Sequence, residues 1–190
     1  MKLCFATNNE GKVNEIRKLL GEEIELLSLK DIGCTEELPE TGVTLEENSR
    51  QKAAYVYEKY QVNSFADDTG LEVAALDGAP GVYSARYAGP ECLAENNMNL
   101  LLENLKDKDN RRAAFKTCIT LVLDGEYRQF FGTVEGEIIR EKKGAMGFGY
   151  DPIFRPEGLE VTFAEMTIEE KNKMSHRARA VVKLVEYLKR

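Results

Sequence analysis

The chain has 190 residues, of which 26 are basic, 33 acidic and 43% hydrophobic, for a formal net charge of −7. This is the composition of an ordinary globular chain, short enough to grow one core, and it predicts a single domain over residues 1–190. The acidic balance argues against a nucleic acid polymer as partner, because polymers are held on a basic face, whereas a small phosphorylated ligand needs only a local basic cluster.

Lys2 to Thr7 reads as a short strand, Asn8-Asn9-Glu10-Gly11-Lys12 as a loop, and Val13, Ile16, Leu19 and Leu20 recur at helical spacing before Gly21. A second strand is expected over Ile24–Leu29, followed by an acidic loop from Glu36 to Gly42 with no apolar period. Thr44-x-x-Glu47 is a capping-box pattern that opens a helix running to about Tyr60, with Leu45, Ala53, Val56, Tyr57 and Tyr60 facing inward. Ser64-Phe65-Ala66 is strand-like and is expected to end at Asp67-Asp68-Thr69-Gly70, after which Leu71–Leu76 resumes an apolar stretch. Ala79–Pro90 reads as a long loop, and Met98, Leu101, Leu102 and Leu105 mark one buried helical face.

A hairpin follows, its first strand alternating from Ala113 to Leu123, its turn at Asp124-Gly125 and its return from Tyr127 to Ile139. Beyond a glycine-rich loop, Gly144–Pro152, Thr167-x-x-Glu170 predicts a short capped helix. Ser175 begins the last helix, with an apolar stripe of Ala178, Val181, Val182, Val185 and Leu188. Strands interleaved with helices, plus one long hairpin, predict an α/β fold with a mixed central sheet covered on both faces.

Polar Thr7-Asn8-Asn9 interrupts the N-terminus before an apolar segment builds up, and no run approaches the roughly 20 residues that span a bilayer, so a cytoplasmic chain without membrane attachment is expected. Cys4, Cys34, Cys92 and Cys118 are widely spaced, as reduced packing residues are, and His176 is the single histidine. A metal held by this chain is therefore expected to be hard and oxygen-liganded: Mg²⁺, or Mn²⁺ in its place.

Four segments carry candidate chemistry. Thr7–Lys12 stands between strand and helix, where backbone N–H groups and the helix dipole favour an anion. It lacks the leading glycine and the Ser/Thr of a Walker A loop, and by itself fits a plain turn equally well. Asp67-Asp68 follows a buried strand, where carboxylates are costly unless solvated, paired or metal-bound. With Glu40 they can hold Mg²⁺ and accept a proton from water, or form an acidic turn in solvent. Gly147-Phe148-Gly149-Tyr150-Asp151 can set a ring against a planar base, or simply be a tight turn with core aromatics. Lys171 with Ser175-His176-Arg177 groups donors suited to a purine 6-keto oxygen, though basic residues beside a helix often just face water. Lys52 is open to the same choice between phosphates and a solvated helix face. Acids for a metal, cations for phosphate and an aromatic for a base add up to a nucleoside triphosphate site.

Ala6-Thr7-Asn8-Asn9-x-Gly11-Lys12, Phe65–Leu71, Gly78–Gly89, Gly147–Phe154 and Ala164-Glu165-Met166 to Ser175-His176-Arg177 together resemble the inosine triphosphate pyrophosphatase family, the Ham1/RdgB-like group of XTP/dITP diphosphatases. The resemblance extends in order over essentially the whole chain. It implies a homodimer of two-lobed α/β subunits, each a single nucleoside triphosphate pyrophosphatase domain around a long mixed sheet. It also implies Mg²⁺-dependent hydrolysis of ITP, dITP and XTP to the monophosphate and pyrophosphate. By the same resemblance Thr7, Asn8, Asn9, Glu10, Gly11, Lys12 and Lys52 hold the triphosphate, and Asp68 and Glu40 bind the metal. Asp68 is also the proton acceptor, Thr69 touches substrate, and Phe148, Gly149, Tyr150, Asp151, Lys171, His176 and Arg177 contact the nucleotide and its base. Thr69 stands where many relatives carry Ser, and Ser49 where a small Ala is usual. A Maf-like pyrophosphatase acting on pyrimidine or modified nucleotides is the alternative within the broad fold, and a non-catalytic nucleotide-binding module is the alternative outside it.

Overall fold

A computed structural model describes residues 1–21 and 23–189; Arg190, the last residue of the expected domain, lies outside them. The elements are β1 (Lys2–Phe5), α1 (Glu10–Arg17), β2 (Glu25–Leu27), α2 (Leu45–Tyr60), β3 (Ser64–Val73), β4 (Pro80–Gly81), α3 (Ala94–Asn104), β5 (Arg112–Leu123), β6 (Glu126–Ile138), β7 (Phe154–Pro156), α4 (Ile168–Lys171) and α5 (His176–Leu188). The strands form one mixed sheet in the order β2-β1-β3-β5-β6-β7, with β4 paired to β3. β1 runs parallel to β2 and β3, while β3–β4 and β6–β7 are antiparallel. This is the α/β class with a mixed central sheet and flanking helices that the interleaved pattern predicts. No helix among the described residues is long and apolar enough to cross a membrane.

The chain divides into two units, the first made of Met1–Asp68, Thr117–Gly132 and the segment from His176 on, the second of Thr69–Lys116 and Thr133–Ser175. In the first unit, strand alternation sorts side chains by face. Leu3, Phe5, Phe65, Ile119 and Leu121 pack with Ile16 of α1 and Ala180, Val181 and Leu184 of α5. Their neighbours Cys4, Ala6, Ala66 and Val122 pack on the other face with Ala53 and Val56 of α2. In the second unit one cluster joins Leu71, Met98, Leu101, Phe115, Val134, Phe154 and Phe163.

Local signals place most element ends. Thr44 and Thr167 each complete a capping box, with Glu47 and Glu170, at the starts of α2 and α4. Asp124 and Gly125 both have positive φ, as a two-residue hairpin turn demands. Asn63 braces that turn by accepting from Asp124 N–H at 2.8 Å and donating to its carboxylate at 3.0 Å.

Three expectations change. The strand predicted to end at Asp67 runs on as β3 through Asp67-Asp68-Thr69-Gly70 to Val73. The poor strand propensity of Asp and Gly is overridden by ion pairing of Asp67 and by the approach of Gly81, whose carbonyl oxygen lies 2.7 Å from where a Cβ on Gly70 would sit. Val182 is exposed, and Leu184 takes the inward position on α5. Cys4, Cys34 and Cys118 are buried free thiols as expected of packing residues, whereas Cys92 is exposed.

Candidate active site

Because successive side chains of a strand point to opposite faces, the adjacent carboxylates of Asp67 and Asp68 enter different environments. Asp67 shares the face of Phe65 and meets α1 and α5. Lys12 Nζ donates to its Oδ1 at 2.9 Å and Arg177 Nε to its Oδ2 at 3.1 Å, while Arg177 Nη1 is also bonded to Glu15. Asp67, Glu15 and Arg177 are all buried. Burial opposes the Asp67 charge, but Lys12 and Arg177 more than offset it and hold the carboxyl well below its usual range. Burial also drives the Lys12 ammonium below the ordinary lysine value, with Asp67 pulling it back up.

Asp68 shares the face of Ala66 and meets α2. Asn48 Nδ2 donates to its Oδ2 at 3.1 Å, and Lys52 Nζ stands 3.6 Å from its Oδ1. Lys52 is also bonded to Glu40, so one ammonium lies against both carboxylates. Burial opposes the charge of Lys52, yet Asp68 and Glu40 outweigh it and raise the group above its ordinary value. Burial raises the Asp68 carboxyl as well, against the pull of Lys52 and Lys12. The strand pleat thus puts Asp67 in a charge-compensated network on one face, while Asp68, the aspartate expected with Glu40 at a metal, lies on the other.

Beside these groups Thr7–Asn9 lead into α1, whose first turn takes in Glu10, Gly11 and Lys12, residues that the sequence pattern places in the loop. Asn9 caps the helix by accepting from Lys12 N–H at 3.1 Å, and Thr7 Oγ1 accepts from Asn9 N–H. Asn8, Asn9 and Glu10 are exposed, so the N-terminal end of α1, with its backbone N–H groups, faces outward. His176, the first residue of α5, is buried next to Arg177.

The second unit holds a separate group. Asp151 Oδ2 accepts from Lys171 Nζ at 2.6 Å and from Phe148 N–H at 2.9 Å, and both ionic partners are buried. The Lys171 ammonium lies 5.0 Å from the Phe148 ring centroid and 5.2 Å from that of Phe163, within cation–π reach. Gly147 has a φ of +75°, and a Cβ there would collide with the Asp151 carboxylate, so only glycine allows this loop to close. Tyr150 is buried and its hydroxyl donates to Ser84 O, while Gly149 has φ +62°. Half-buried Thr69 opens the second unit's part of β3.

Sequence reasoning missed Glu15 and Asn48. Both left a signal: Glu15 lies three residues after Lys12 and beside inward-facing Ile16, and Asn48, Ser49 and Lys52 prolong the stripe that Ala53 and Val56 form on α2. A polar residue on the inward face of a helix requires a buried partner.

A buried lysine, a second lysine and an exposed helix start beside two carboxylates provide the charges that a phosphorylated ligand needs. A sequence profile of the Ham1 family matches residues 3–187. The chain is 57% identical over 188 residues to the dITP/XTP pyrophosphatase of Christiangramia forsetii, covering 99% of each chain. It is 54% identical over 188 residues to that of Flavobacterium johnsoniae, covering 99% of this chain and 98% of the relative. Among solved structures it resembles the Staphylococcus aureus Ham1 protein (TM-score 0.90, 39% identity) and a HAM1 protein from Coxiella burnetii (TM-score 0.91, 36% identity), in each case over 100% of this chain and 98% of the other. The chain belongs to the Ham1 family.

Proposed function

We propose that this chain is a nucleoside triphosphate diphosphatase that hydrolyses dITP, XTP and ITP to the nucleoside monophosphate and pyrophosphate, clearing them from the cytoplasmic nucleotide pool before polymerases use them. The observation that carries this reading is the whole-chain similarity to relatives named dITP/XTP pyrophosphatase.

Two hard carboxylates, Glu40 and Asp68, already share one cation, the Lys52 ammonium, and such a pair fits Mg²⁺ or Mn²⁺. Among the described residues no group of three or more His, Cys, Asp or Glu side chains could hold a metal ion, so Glu40 and Asp68 would need water and substrate phosphate to complete the shell. When bound, Mg²⁺ neutralises phosphate charge and helps to align the oxygens. Asp68 accepts the proton of the attacking water, its carboxylate oriented by the Asn48 amide at Oδ2. Lys12 and Lys52 stabilise charge on the departing pyrophosphate, and the segment from Thr7 through Asn8, Asn9, Glu10 and Gly11 holds the phosphates. Thr69 contributes its hydroxyl to substrate. Phe148, Gly149, Tyr150 and Asp151, with Lys171, His176 and Arg177, are assigned to nucleotide and base contacts. A donor facing O6 would be left unpaired by the 6-amino group of adenine, which disfavours ATP. We further assign the working form as a homodimer of single-domain subunits, which sedimentation velocity tests.

The deciding assay incubates the protein and Mg²⁺ with dITP, XTP, ITP, GTP, ATP, dUTP and dTTP and measures pyrophosphate and orthophosphate separately. Pyrophosphate from dITP and XTP, with little from ATP or GTP, is expected. Orthophosphate, a pyrimidine preference or binding without turnover would overturn the reading.

A further inference from the structure

We propose that Asn48 is a positioning residue that orients the Asp68 carboxylate and holds Glu40 in register with it. The inference rests on the metal-assisted reading above and adds residues of α2 that bind neither substrate nor metal.

The acidic loop lies along α2 residue by residue. Glu40 is bonded to Lys52. Thr41 N–H donates to Gln51 Oε1 at 2.9 Å, and Gln51 Nε2 donates back to Thr41 Oγ1 at 3.1 Å. Gly42 N–H donates to Asn48 Oδ1 at 2.8 Å. Residues 48, 51 and 52 fall at i, i+3 and i+4, one face of the helix, so consecutive loop residues meet that face in reverse order. Glycine is required at 42, where a Cβ would sit 2.6 Å from Glu47 Cβ and 2.9 Å from Asn48 Oδ1.

Asn48 links this strap to the strand. Gly42 N–H can only donate, so the amide oxygen of Asn48 must face it and the amide nitrogen must face Asp68. Asn48 is 1% exposed, and this fixed amide holds Asp68 Oδ2 and so turns Oδ1 toward Lys52, the cation that Glu40 also meets. Asp68 thus meets one neutral donor, Asn48, and one ammonium, Lys52, whereas Asp67 is bonded by two cations, Lys12 and Arg177. One side chain thus sets the orientation of one carboxylate and the reach of the other.

The test compares wild type, Asn48→Ala and Gln51→Ala in three measurements: Mn²⁺ affinity of the nucleotide-free protein, kcat and KM for dITP across Mg²⁺ concentrations, and Tm. Groups that orient metal ligands typically change affinity or activity by about 10–100-fold. Asn48→Ala is expected to weaken Mn²⁺ binding and lower kcat by that order, with KM at saturating Mg²⁺ little changed. Gln51→Ala, which releases only Thr41, is expected to do the same to a smaller extent. Asn48→Ala with a lower Tm but wild-type Mn²⁺ affinity and kcat overturns the inference. If that variant does not fold, Asn48→Gln, whose longer side chain cannot hold the same amide between Gly42 and Asp68, replaces it, and wild-type Mn²⁺ affinity and kcat there overturn the inference. A wild-type protein that binds Mn²⁺ without hydrolysing dITP refutes the proposed activity alone, while the variants' Mn²⁺ affinities still decide the role of Asn48.

Discussion

Replacing Arg177 with Ala tests whether the charge network on the Asp67 face is buried in the energetic sense. Arg177 is 1% exposed, Asp67 0% and Glu15 3%, and the guanidinium bonds both carboxylates. Removing it takes one cation away from both Glu15 and Asp67. Breaking a buried pair by deleting one member costs about 3–5 kcal/mol, because the remaining charge keeps its desolvation penalty. That is a large share of the 5–15 kcal/mol that stabilises a typical domain. At roughly 2–4 °C per kcal/mol for a chain of this length, the Tm should fall by about 6–20 °C. Glu15→Gln should cost less, since Asp67 still neutralises Arg177. The control is Lys116→Ala, whose ion pair with Glu72 is about 40% exposed and whose loss should cost no more than about 1 kcal/mol. Urea unfolding of nucleotide-free protein at pH 7, followed by far-ultraviolet circular dichroism and tyrosine fluorescence, gives the three values. An Arg177→Ala cost no greater than that of Lys116→Ala would refute the argument, since a network so cheaply broken must be solvated.

Three more outcomes are expected. Asp68→Asn should lower dITP turnover by about 10²–10⁴-fold, the usual contribution of a positioned base, with nucleotide affinity measured by calorimetry changed far less. The Glu36 carboxyl is held well below its ordinary value by Lys59 and the Tyr60 and Tyr55 hydroxyls. Its stabilisation is therefore complete above about pH 4.3, the unfolded value, and is lost as the pH falls toward the folded one. The Tm difference between wild type and Glu36→Gln should accordingly shrink on acidification, and a constant difference down to pH 2.5 would contradict that linkage. In the native protein a thiol reagent at pH 8 should label Cys92 alone, because Cys92 is exposed whereas Cys4, Cys34 and Cys118 are buried, and burial pushes the thiols of Cys4 and Cys118 up to about 12 and about 11. Cys92→Ser should abolish the labelling, which mass spectrometry reads directly.

What the sequence determined by itself is what neighbours a few positions apart can encode. The Thr44 and Thr167 capping boxes, the Asp124-Gly125 turn and the α3 stripe are each settled within a handful of residues, and each is found where the pattern puts it. The separated motifs likewise bring Lys12, Glu40, Lys52 and Asp68 into one unit, and Phe148, Asp151 and Lys171 together in the other. Only the tertiary structure decided that neighbouring aspartates do different work, because a buried charge is satisfied by whatever partner the fold supplies. Asp67 meets Lys12 from 55 positions away and Arg177 from 110, and Arg177 meets Glu15 across 162. Asn48 reaches Asp68 across 20 positions, on the opposite face. Alternation along a strand can be read from sequence, but which helix covers each face cannot, and here that choice separates Asp67, held by Lys12 and Arg177, from Asp68, held by Asn48 and Lys52.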